Sequence, residues 1–425
     1  MQIKNIKYYF KIFSVKDIAI LTSGTLIAQV ITMALQPITT RVYTPAEFGL
    51  FNLLTSTIQM FVPLIIFQYD SCIVTAKTDE EANKVTALSF FTLFTTVTIF
   101  ALGLLVYNLL FPSTFIEAGL WVYTTIGFLA ASGIANIVSQ YNNRFRQYSL
   151  MSKMSIYRAS VSNPIKIILG FAGLGFIGFI LSYFLSIVLG LKKQAFYLIS
   201  NAKEIRQTSF DDIKSLAKKY IAQPLYSSPG LFMVGFAYSV IPFQIKLLYH
   251  SNTEIGLYAL AVTVVSMPLR LISDSVAKIF FKNASEEMHK TGGFRSAFKR
   301  TSILLALIST VPFTILFFTA APLFGIIFGK NWIQCGIFVQ ALIPLYFTRF
   351  IVNSVISGLI ICGAQKAKLI IQSQFVVVSI VIFLISQKYE FSIEKFLFLI
   401  GISYAIIYII LLGFIYKKSK PQGCN

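Results

Sequence analysis

The stretch TALSFFTLFTTVTIFALGLLVYNLLF, Thr86–Phe111, carries no charged residue over 26 positions. A run of about 18 or more apolar residues is long enough to cross a bilayer as a helix. Inside hydrocarbon every backbone polar group must be satisfied internally, so only helices and closed barrels span a membrane. The run lacks the alternating pattern of a barrel strand. It therefore predicts a transmembrane helix.

The rest of the 425-residue chain repeats this pattern. Hydrophobic residues make up 56% of the chain and charged residues 12%, whereas a soluble domain carries about 25% charged residues. We predict an all-α integral membrane protein with about twelve transmembrane helices. The seventh contains three prolines and should bend, and the glycines of 170–179 should turn the chain tightly between the fifth and sixth. The predicted spans are 18–39, 46–69, 85–110, 118–140, 154–173, 175–198, 218–248, 252–277, 298–327, 332–362, 368–387 and 394–416.

The basic residues test this count. With both termini in the cytoplasm, 27 of the 36 Lys and Arg residues fall in cytoplasmic segments, five in outer loops and four within spans. Cytoplasmic loops of membrane proteins carry such an excess. The formal net charge of +20 is therefore interpreted as topology and contact with anionic lipid, and no nucleic acid is expected. The four cysteines show no metal or disulfide spacing.

Two phrases recur 207 residues apart. Thr44-Pro-Ala-Glu47 and Ser251-Asn-Thr-Glu254 both have the form of a helix capping box, and each is followed by Gly-Leu-aromatic-x-Leu. Acidic pairs at 80–81 and 286–287 repeat at nearly the same offset. Because six spans separate the copies, we predict two parallel six-helix repeats around a central cleft. The predicted domains are a bundle at 1–198, a basic cytoplasmic linker at 199–217 and a bundle at 218–425.

Polar residues at membrane depth form the predicted binding site. Amides and hydroxyls recur on one helical face, and are interpreted either as cleft lining or as helix–helix hydrogen bonds. Cations inside spans are costly and favour an anionic ligand, although Arg270 with Asp274 four residues on also fits an internal ion pair. The predicted polar stripes are Thr25, Gln29, Thr32 and Gln36 in the first span, and Asn52 and Gln59 in the second. The predicted cations are Arg349, Lys166, Arg270 and Arg41.

Catalysis is not expected. His250 and His289 lie in predicted loops, no carboxylate pair or nucleophile–base constellation sits at one depth of the membrane, and no Walker motif is present. The outer loops are too short for the extracytoplasmic domain of a membrane glycan polymerase. A cation-coupled drug exporter, the other alternative, should carry a buried acid in its first bundle. The first span has none after Asp17, and the remaining candidate coupling acids are Asp274 and Asp70.

The motifs SGTLIAQVITMALQPITTRVYTPAEFGLFNL (Ser23–Leu53) and YDSCIVTAKTDEEA (Tyr69–Ala82) resemble the N-terminal signature of Wzx-type polysaccharide repeat-unit flippases, within the multidrug/oligosaccharidyl-lipid/polysaccharide exporter superfamily. YNNRFRQYSLMSK (Tyr141–Lys153), GFAGLGFIGFILSYFLSIVLG (Gly170–Gly190) and ICGAQKAK at 361–368 are also similar to that family. The similarity is densest in the first 190 residues.

The resemblance implies export of undecaprenyl-pyrophosphate-linked oligosaccharide, for O-antigen of lipopolysaccharide or for capsule, across the bacterial inner membrane by alternating access. The expected partners are this lipid-linked substrate, membrane lipids, a coupling H⁺ or Na⁺, and the polysaccharide polymerase and chain-length machinery; no cofactor is expected. By type and depth, the basic residues that the family is thought to use in its cleft match the four cations named above.

Overall fold

The computed structural model describes residues 15–111, 121–362 and 364–420. The prediction of an all-α membrane protein is confirmed: eleven helices in these ranges are long and apolar enough to cross a membrane. The helix Tyr148–Phe171 has similar length but carries Lys153, Arg158 and Lys166. With it, the described residues contain twelve long helical segments, as predicted. The chain ends, predicted to be cytoplasmic, lie at 1–14 and 421–425, outside the described residues.

The first half of the chain ends in short helices. Phe171 closes one long helix and Gly175 opens the next, and Gly173 between them has φ 75°, so the predicted glycine turn is present. The helices are α1 Val15–Val42, α2 Pro45–Ile65, α3 Asp70–Thr75, α4 Asp79–Leu110, α5 Trp121–Arg144, α6 Tyr148–Phe171, α7 Gly175–Val188, α8 Leu191–Gln194, α9 Phe196–Ser200, α10 Ala202–Arg206 and α11 Phe210–Lys219.

The second half begins with the proline-rich seventh span. The sequence predicts a bend in this span, and the structure interrupts it: a π-helical turn at Gln223–Ser227 precedes one helix, and a second helix starts at Ile241, directly before Pro242. A 3₁₀ turn covers Lys330–Trp332. The helices are α12 Ser228–Ser239, α13 Ile241–Tyr249, α14 Asn252–Thr291, α15 Arg295–Phe328, α16 Ile333–Val355, α17 Gly358–Ile361, α18 Gln365–Lys388 and α19 Ile393–Lys418.

The chain forms two compact units. Of the described residues, the first unit comprises those up to Val42 together with those within Leu54–Phe232, and the second comprises Tyr43–Leu53 together with those from Met233 onward. The first turns of α2 therefore belong to the second unit, although the rest of α2 belongs to the first. The domain boundaries from the sequence stay a prediction. They are two six-helix bundles at 1–198 and 218–425, joined by a cytoplasmic linker at 199–217.

The two repeated phrases pack against each other in the second unit. A Cβ atom added at Gly49 would lie 1.9 Å from the Asn252 carbonyl oxygen, and one at Gly256 would lie 1.8 Å from the Pro45 carbonyl oxygen. Only glycine allows backbones to approach this closely. The repetition thus has a structural consequence, since each copy supplies the glycine at one crossing of α2 and α14.

Both boxes cap their helices, but to different extents. Thr44 Oγ1 accepts from the Glu47 amide at 3.4 Å, and Glu47 Oε2 accepts from the Thr44 amide at 2.7 Å, so the first box is reciprocal. In the second, the Glu254 amide donates to Ser251 Oγ at 3.2 Å. Glu254 Oε2 has no hydrogen-bond partner among the described residues. The second repeat therefore keeps half of the motif.

The core of the first unit lies between α2, α4 and α5. Its fully buried residues include Leu54, Leu93 and Leu129. In the second unit α16 packs closely on its neighbours through glycine: a Cβ at Gly336 would lie 2.4 Å from the backbone of Ala320, and one at Gly401 2.4 Å from the Ala341 carbonyl oxygen. Small residues at crossings are how transmembrane helices pack without a hydrophobic driving force.

The segment predicted as a linker is docked on the first unit. Asn83 Nδ2 donates to Glu204 at 2.6 Å, Lys84 pairs with Asp212 at 3.4 Å, and Glu81 accepts from Lys219. The Tyr220 hydroxyl adds a hydrogen bond to Glu81 at 3.0 Å. These contacts join the N-terminal turns of α4 to α10 and α11, so the segment is fixed rather than a free tether.

Glu81→Gln is expected to loosen α11. The substitution removes the charge to which Lys219 and Tyr220 donate, and hydrogen bonds to charged groups contribute about 1.5–3 kcal/mol. Because Lys219 is half exposed, we expect the lower end, with hydrogen exchange of the 210–219 backbone about tenfold faster. Glu80→Gln is the matched control, since the Glu80 side chain is 77% exposed and, among the described residues, its ion pair is with Lys84 of the same helix. Equal rates of hydrogen exchange at 210–219 in both variants would contradict the role of Glu81 in holding α11.

Candidate functional site

Arg349 stacks on an aromatic ring within the second unit. It lies on α16, half-buried, with its guanidinium carbon 4.4 Å from the centroid of the Tyr238 ring. This distance is typical of a cation–π contact. Arginine commonly stacks on aromatic faces, an arrangement that leaves its N–H donors available at the guanidinium edge.

Tyrosines surround this cation. The Tyr238 and Tyr408 hydroxyls lie 2.6 Å apart, and the charge of Arg349 interacts electrostatically with Tyr238, Tyr408, Tyr346 and Tyr258. We call Arg349 and these four tyrosines the Arg349 cluster. Behind it, Phe375 packs 4.9 Å from the ring of Tyr408. Three of the tyrosines are at most 5% exposed, so the side chain of Arg349 is surrounded by buried, packed rings.

The charge of Arg349 is not neutralised by a carboxylate. Among the described residues, no Asp or Glu oxygen lies within 4.0 Å of its guanidinium. A cation held in a span without an acidic partner is costly and marks a functional position. Its planar fork matches the oxygens of a phosphate or carboxylate. The cluster is therefore suited to an anion.

Lys166 lies in a polar cluster of the first unit. Its Nζ donates to Asn163 Oδ1 at 3.3 Å and stands 5.9 Å from the centroid of the Phe179 ring. Asn163 Nδ2 in turn donates to Thr32 Oγ1 at 3.1 Å. A hydrogen-bonded chain thus links a predicted cation on α6 to the predicted polar stripe on α1.

The rest of the stripes is divided between buried and exposed positions. Gln36 is 8% exposed, whereas Gln29 is half-buried and its Oε1 has no hydrogen-bond partner in the described structure. Thr25 is exposed and its hydroxyl donates to the Leu21 carbonyl oxygen. On α2, Asn52 is half-buried and Gln59 exposed. Part of the stripe therefore serves helix packing, and the Gln29 oxygen is a hydrogen-bonding group without a partner among the described residues.

The remaining predicted residues differ in their surroundings. Arg270 Nε lies 3.7 Å from Asp274 Oδ2, and the side chains are 79% and 66% exposed. This geometry fits the ion-pair interpretation of Arg270. Arg41 is exposed in the last turn of α1. Asp70 is 6% exposed at the start of α3. In the described part of the chain, no group of three His, Cys, Asp or Glu residues could hold a metal ion.

The sequence interpretation did not include the tyrosines. A signal was available, because Tyr346 precedes Arg349 by three residues and Tyr404 precedes Tyr408 by four, the spacings that place side chains on one helical face. The structure also explains Arg158, which donates to the Leu189 carbonyl oxygen at 2.8 Å and to Gln194 at 2.7 Å. Arg158 thereby fixes the end of α7 and needs no ligand.

Solved structures with a similar fold include transporters that are described as members of the MOP superfamily. A mutant of the Vibrio cholerae MATE transporter VcmN shares 14% sequence identity and a TM-score of 0.60, covering 95% of this chain and 96% of that one. An inward-facing multidrug resistance MATE transporter shares 12% identity and a TM-score of 0.53, covering 93% of both chains. A Pyrococcus furiosus MOP transporter, reported with a binding pocket of reverse polarity, shares 14% identity and a TM-score of 0.50, covering 95% and 92%.

These similarities define the class of protein: a polytopic helical membrane protein with the MOP-transporter fold. No curated protein matches the chain. The family model described as polysaccharide biosynthesis protein matches residues 38–336. This match covers most of the chain, which therefore belongs to the polysaccharide biosynthesis protein family.

Proposed function

We propose that the protein is a flippase for undecaprenyl-pyrophosphate-linked oligosaccharide repeat units of O-antigen or capsule. It would move them from the cytoplasmic to the outer leaflet of the bacterial inner membrane by alternating access. Family membership supports the polysaccharide part of this proposal, and the fold supports transport. The observation that carries the choice of an anionic substrate is the uncompensated charge of Arg349.

The pyrophosphate would bind at the cations. The guanidinium carbon of Arg349 lies 4.4 Å from the centroid of the Tyr238 ring, and a guanidinium can form two parallel N–H bonds to phosphate oxygens. Lys166, positioned through Asn163, is a separate candidate for an anion-binding cation within the first unit. Since each arises in a different structural unit, each can be tested by itself.

The sugars would bind at amides and aromatic rings. Gln29 has a buried oxygen without a partner, and hydroxyl-rich ligands supply donors for such groups. Tyr238 is the half-buried ring of the Arg349 cluster, and a pyranose can pack against its accessible part. The lipid tail needs no protein site, because it can remain in the bilayer.

The direction of transport is favoured by the membrane potential. An anion that leaves a negative-inside cell gains about 2.3 kcal/mol per charge per 100 mV, for the part of the field that it crosses. Coupling to H⁺ or Na⁺ would add to this driving force. Asp70 and Asp274 are the acids that we assign as candidates, and Asp70 is the buried one. A buried acid in the first unit is also what the alternative, a cation-coupled drug exporter, requires.

The proposal is tested on spheroplasts of the native host. We expect cells without the protein to keep lipid-linked repeat units at the cytoplasmic face, where an added lectin cannot bind them. Re-expression should restore lectin binding at the outer face. Equal surface display with and without the protein would reject the proposal. Restored efflux of cationic dyes instead would favour the alternative, a cation-coupled drug exporter.

A further inference from the structure

Asp70 is a buried acid whose negative charge would not be balanced by a nearby positively charged side chain among the described residues. It follows α2 at the first position of α3 and is 6% exposed. Its Oδ1 has no hydrogen-bond partner, and no Lys, Arg or His nitrogen lies within 4.0 Å of its carboxylate, among the described residues. A buried carboxylate without a cation favours its neutral, protonated form.

The charged groups on the elements around α3 are occupied elsewhere. Arg144 on α5 pairs with Asp79 at 3.0 Å and donates to the Ala76 carbonyl oxygen at 2.6 Å. On α4, Glu81 binds Lys219 and Tyr220, and Lys84 pairs with Glu80 at 3.1 Å and with Asp212. Two further groups, Tyr141 on α5 and Cys72 on α3 itself, are neutral at ordinary pH. The Tyr141 hydroxyl donates to Asn83 Oδ1 at 2.8 Å.

The backbone before Asp70 is strained. Phe67 and Gln68 adopt φ angles of 50° and 61°, in the left-handed region that residues other than glycine rarely occupy. Such strain persists only where the surrounding packing imposes it, and it concentrates at positions that switch. Here the packing includes Ile66 and Cys72, both at most 2% exposed. We call residues 66–70 the α2–α3 junction. Because opening would release this backbone strain, weaker packing favours the open junction.

We propose that Asp70 is a proton-binding site, which holds its proton while the α2–α3 junction is packed and releases it to water when the junction opens. The O–H bond of the carboxyl group breaks, the electron pair stays on the carboxylate, and the proton passes to solvent. This inference deepens the proposed function and rests on it in one respect: the proton would be the coupling ion of transport.

The sign of the pH dependence follows from burial. Burial raises the pKa of Asp70 above its ordinary 3.8, against the lowering effect of the backbone amides of Ser71 and Asp70. Between 3.8 and this raised pKa, the packed junction holds a proton that the open junction releases. Opening is therefore favoured about tenfold per pH unit within that window, and the effect levels off above it.

Cys72 is a natural reporter of opening. It lies two residues from Asp70, and its side chain is 1% exposed. With Cys335, Cys362 and Cys424 replaced by serine, the rate of labelling by N-ethylmaleimide measures access to the junction. The thiol itself contributes about tenfold per pH unit below its pKa, which burial raises to about 11. Asp70→Asn removes the proton site and keeps this thiol contribution.

We expect the ratio of labelling rates, wild type over Asp70→Asn, to rise by up to about tenfold per pH unit and then to level off. A ratio that stays constant with pH would overturn the proposal. If Asp70→Asn does not fold, the wild type alone decides. Within the pH window given above, a labelling rate that rises more steeply than tenfold per pH unit supports a titrating group besides the thiol. A slope of tenfold or less in that window overturns the proposal.

The link to transport has a separate test. In liposomes, we expect the wild type to translocate lipid-linked oligosaccharide at a pH-dependent rate, and Asp70→Asn to lose that dependence. The same pH profile in both proteins would overturn the coupling role of Asp70. If the wild type does not translocate at all, the proposed function fails, whereas the labelling of Cys72 still tests proton binding by itself.

Discussion

Gly256→Ala is expected to destabilise the protein more than any other single added methyl group at the crossing of α2 and α14. The new Cβ would lie 1.8 Å from the Pro45 carbonyl oxygen and 2.9 Å from the Gly49 amide nitrogen. Both are backbone atoms, so no side chain can rotate away. Overpacking of this kind costs about 1–3 kcal/mol, and more where the backbone must shift. We expect a melting temperature in detergent lower by several degrees.

Gly413→Ala is the matched control for that measurement. Gly413 lies inside α19 in the same unit, and a Cβ there would meet no atom within 4 Å. Alanine is the better helix former by about 0.5–1 kcal/mol, so this variant should melt at the same temperature or slightly higher. If Gly256→Ala melts like Gly413→Ala, the close crossing of the two repeats is wrong.

Arg349→Ala is expected to reduce translocation by roughly ten- to a hundredfold while leaving the protein folded. Charge-assisted hydrogen bonds contribute about 1.5–3 kcal/mol, and each 1.4 kcal/mol corresponds to a factor of ten in rate. Arg349→Lys keeps the charge but loses the planar fork, so it should fall between wild type and alanine. Initial rates in liposomes, normalised to the amount of reconstituted protein, provide the measurement.

Lys388→Ala separates this effect from a general loss of positive charge. Lys388 is also stacked on a tyrosine, with Nζ 5.5 Å from the Tyr389 ring centroid, but it lies at the end of α18 beside an exposed ring. We expect its rate to equal that of the wild type. An equal loss in both variants, or normal transport by Arg349→Ala, would remove Arg349 from the site.

Most of the fold could be predicted because its determinants are local. Charge-free runs identify spans, and Thr44 with Glu47 marks a helix start that the structure confirms by a reciprocal cap. The glycine turn before α7 and the break before Pro242 follow from the conformational preferences of those two residue types. Such signals depend on a few neighbouring residues, so a single sequence contains them.

Contacts between distant segments could not be predicted in this way. Glu81 and Lys219 are 138 residues apart, so nothing in the sequence near either of them indicates that the linker is docked. The same limit applies to Tyr238 and Tyr408, which are 170 residues apart. The depth of Arg349 in its span was evident from hydropathy, but the ring that fixes its orientation depends on tertiary packing.

Asp70 illustrates a further limit. Its position at a predicted span end gave no reason to expect burial, because span ends are commonly exposed to headgroups and water. The structure buries it through the short helix α3, which packs against α4 and α5. No hydropathy signal predicts this helix, since α3 has only six residues.

The most direct test of the account uses the purified protein in liposomes that contain labelled undecaprenyl-pyrophosphate-linked repeat unit. A membrane-impermeant glycosidase added outside reports how quickly glycan from the inner leaflet becomes accessible. We expect faster loss of the protected pool with protein than in protein-free liposomes, and slower loss with Arg349→Ala than with the wild type. An unchanged protected pool, with or without a pH or Na⁺ gradient, together with protein-dependent movement of an organic cation in the same liposomes, would contradict it.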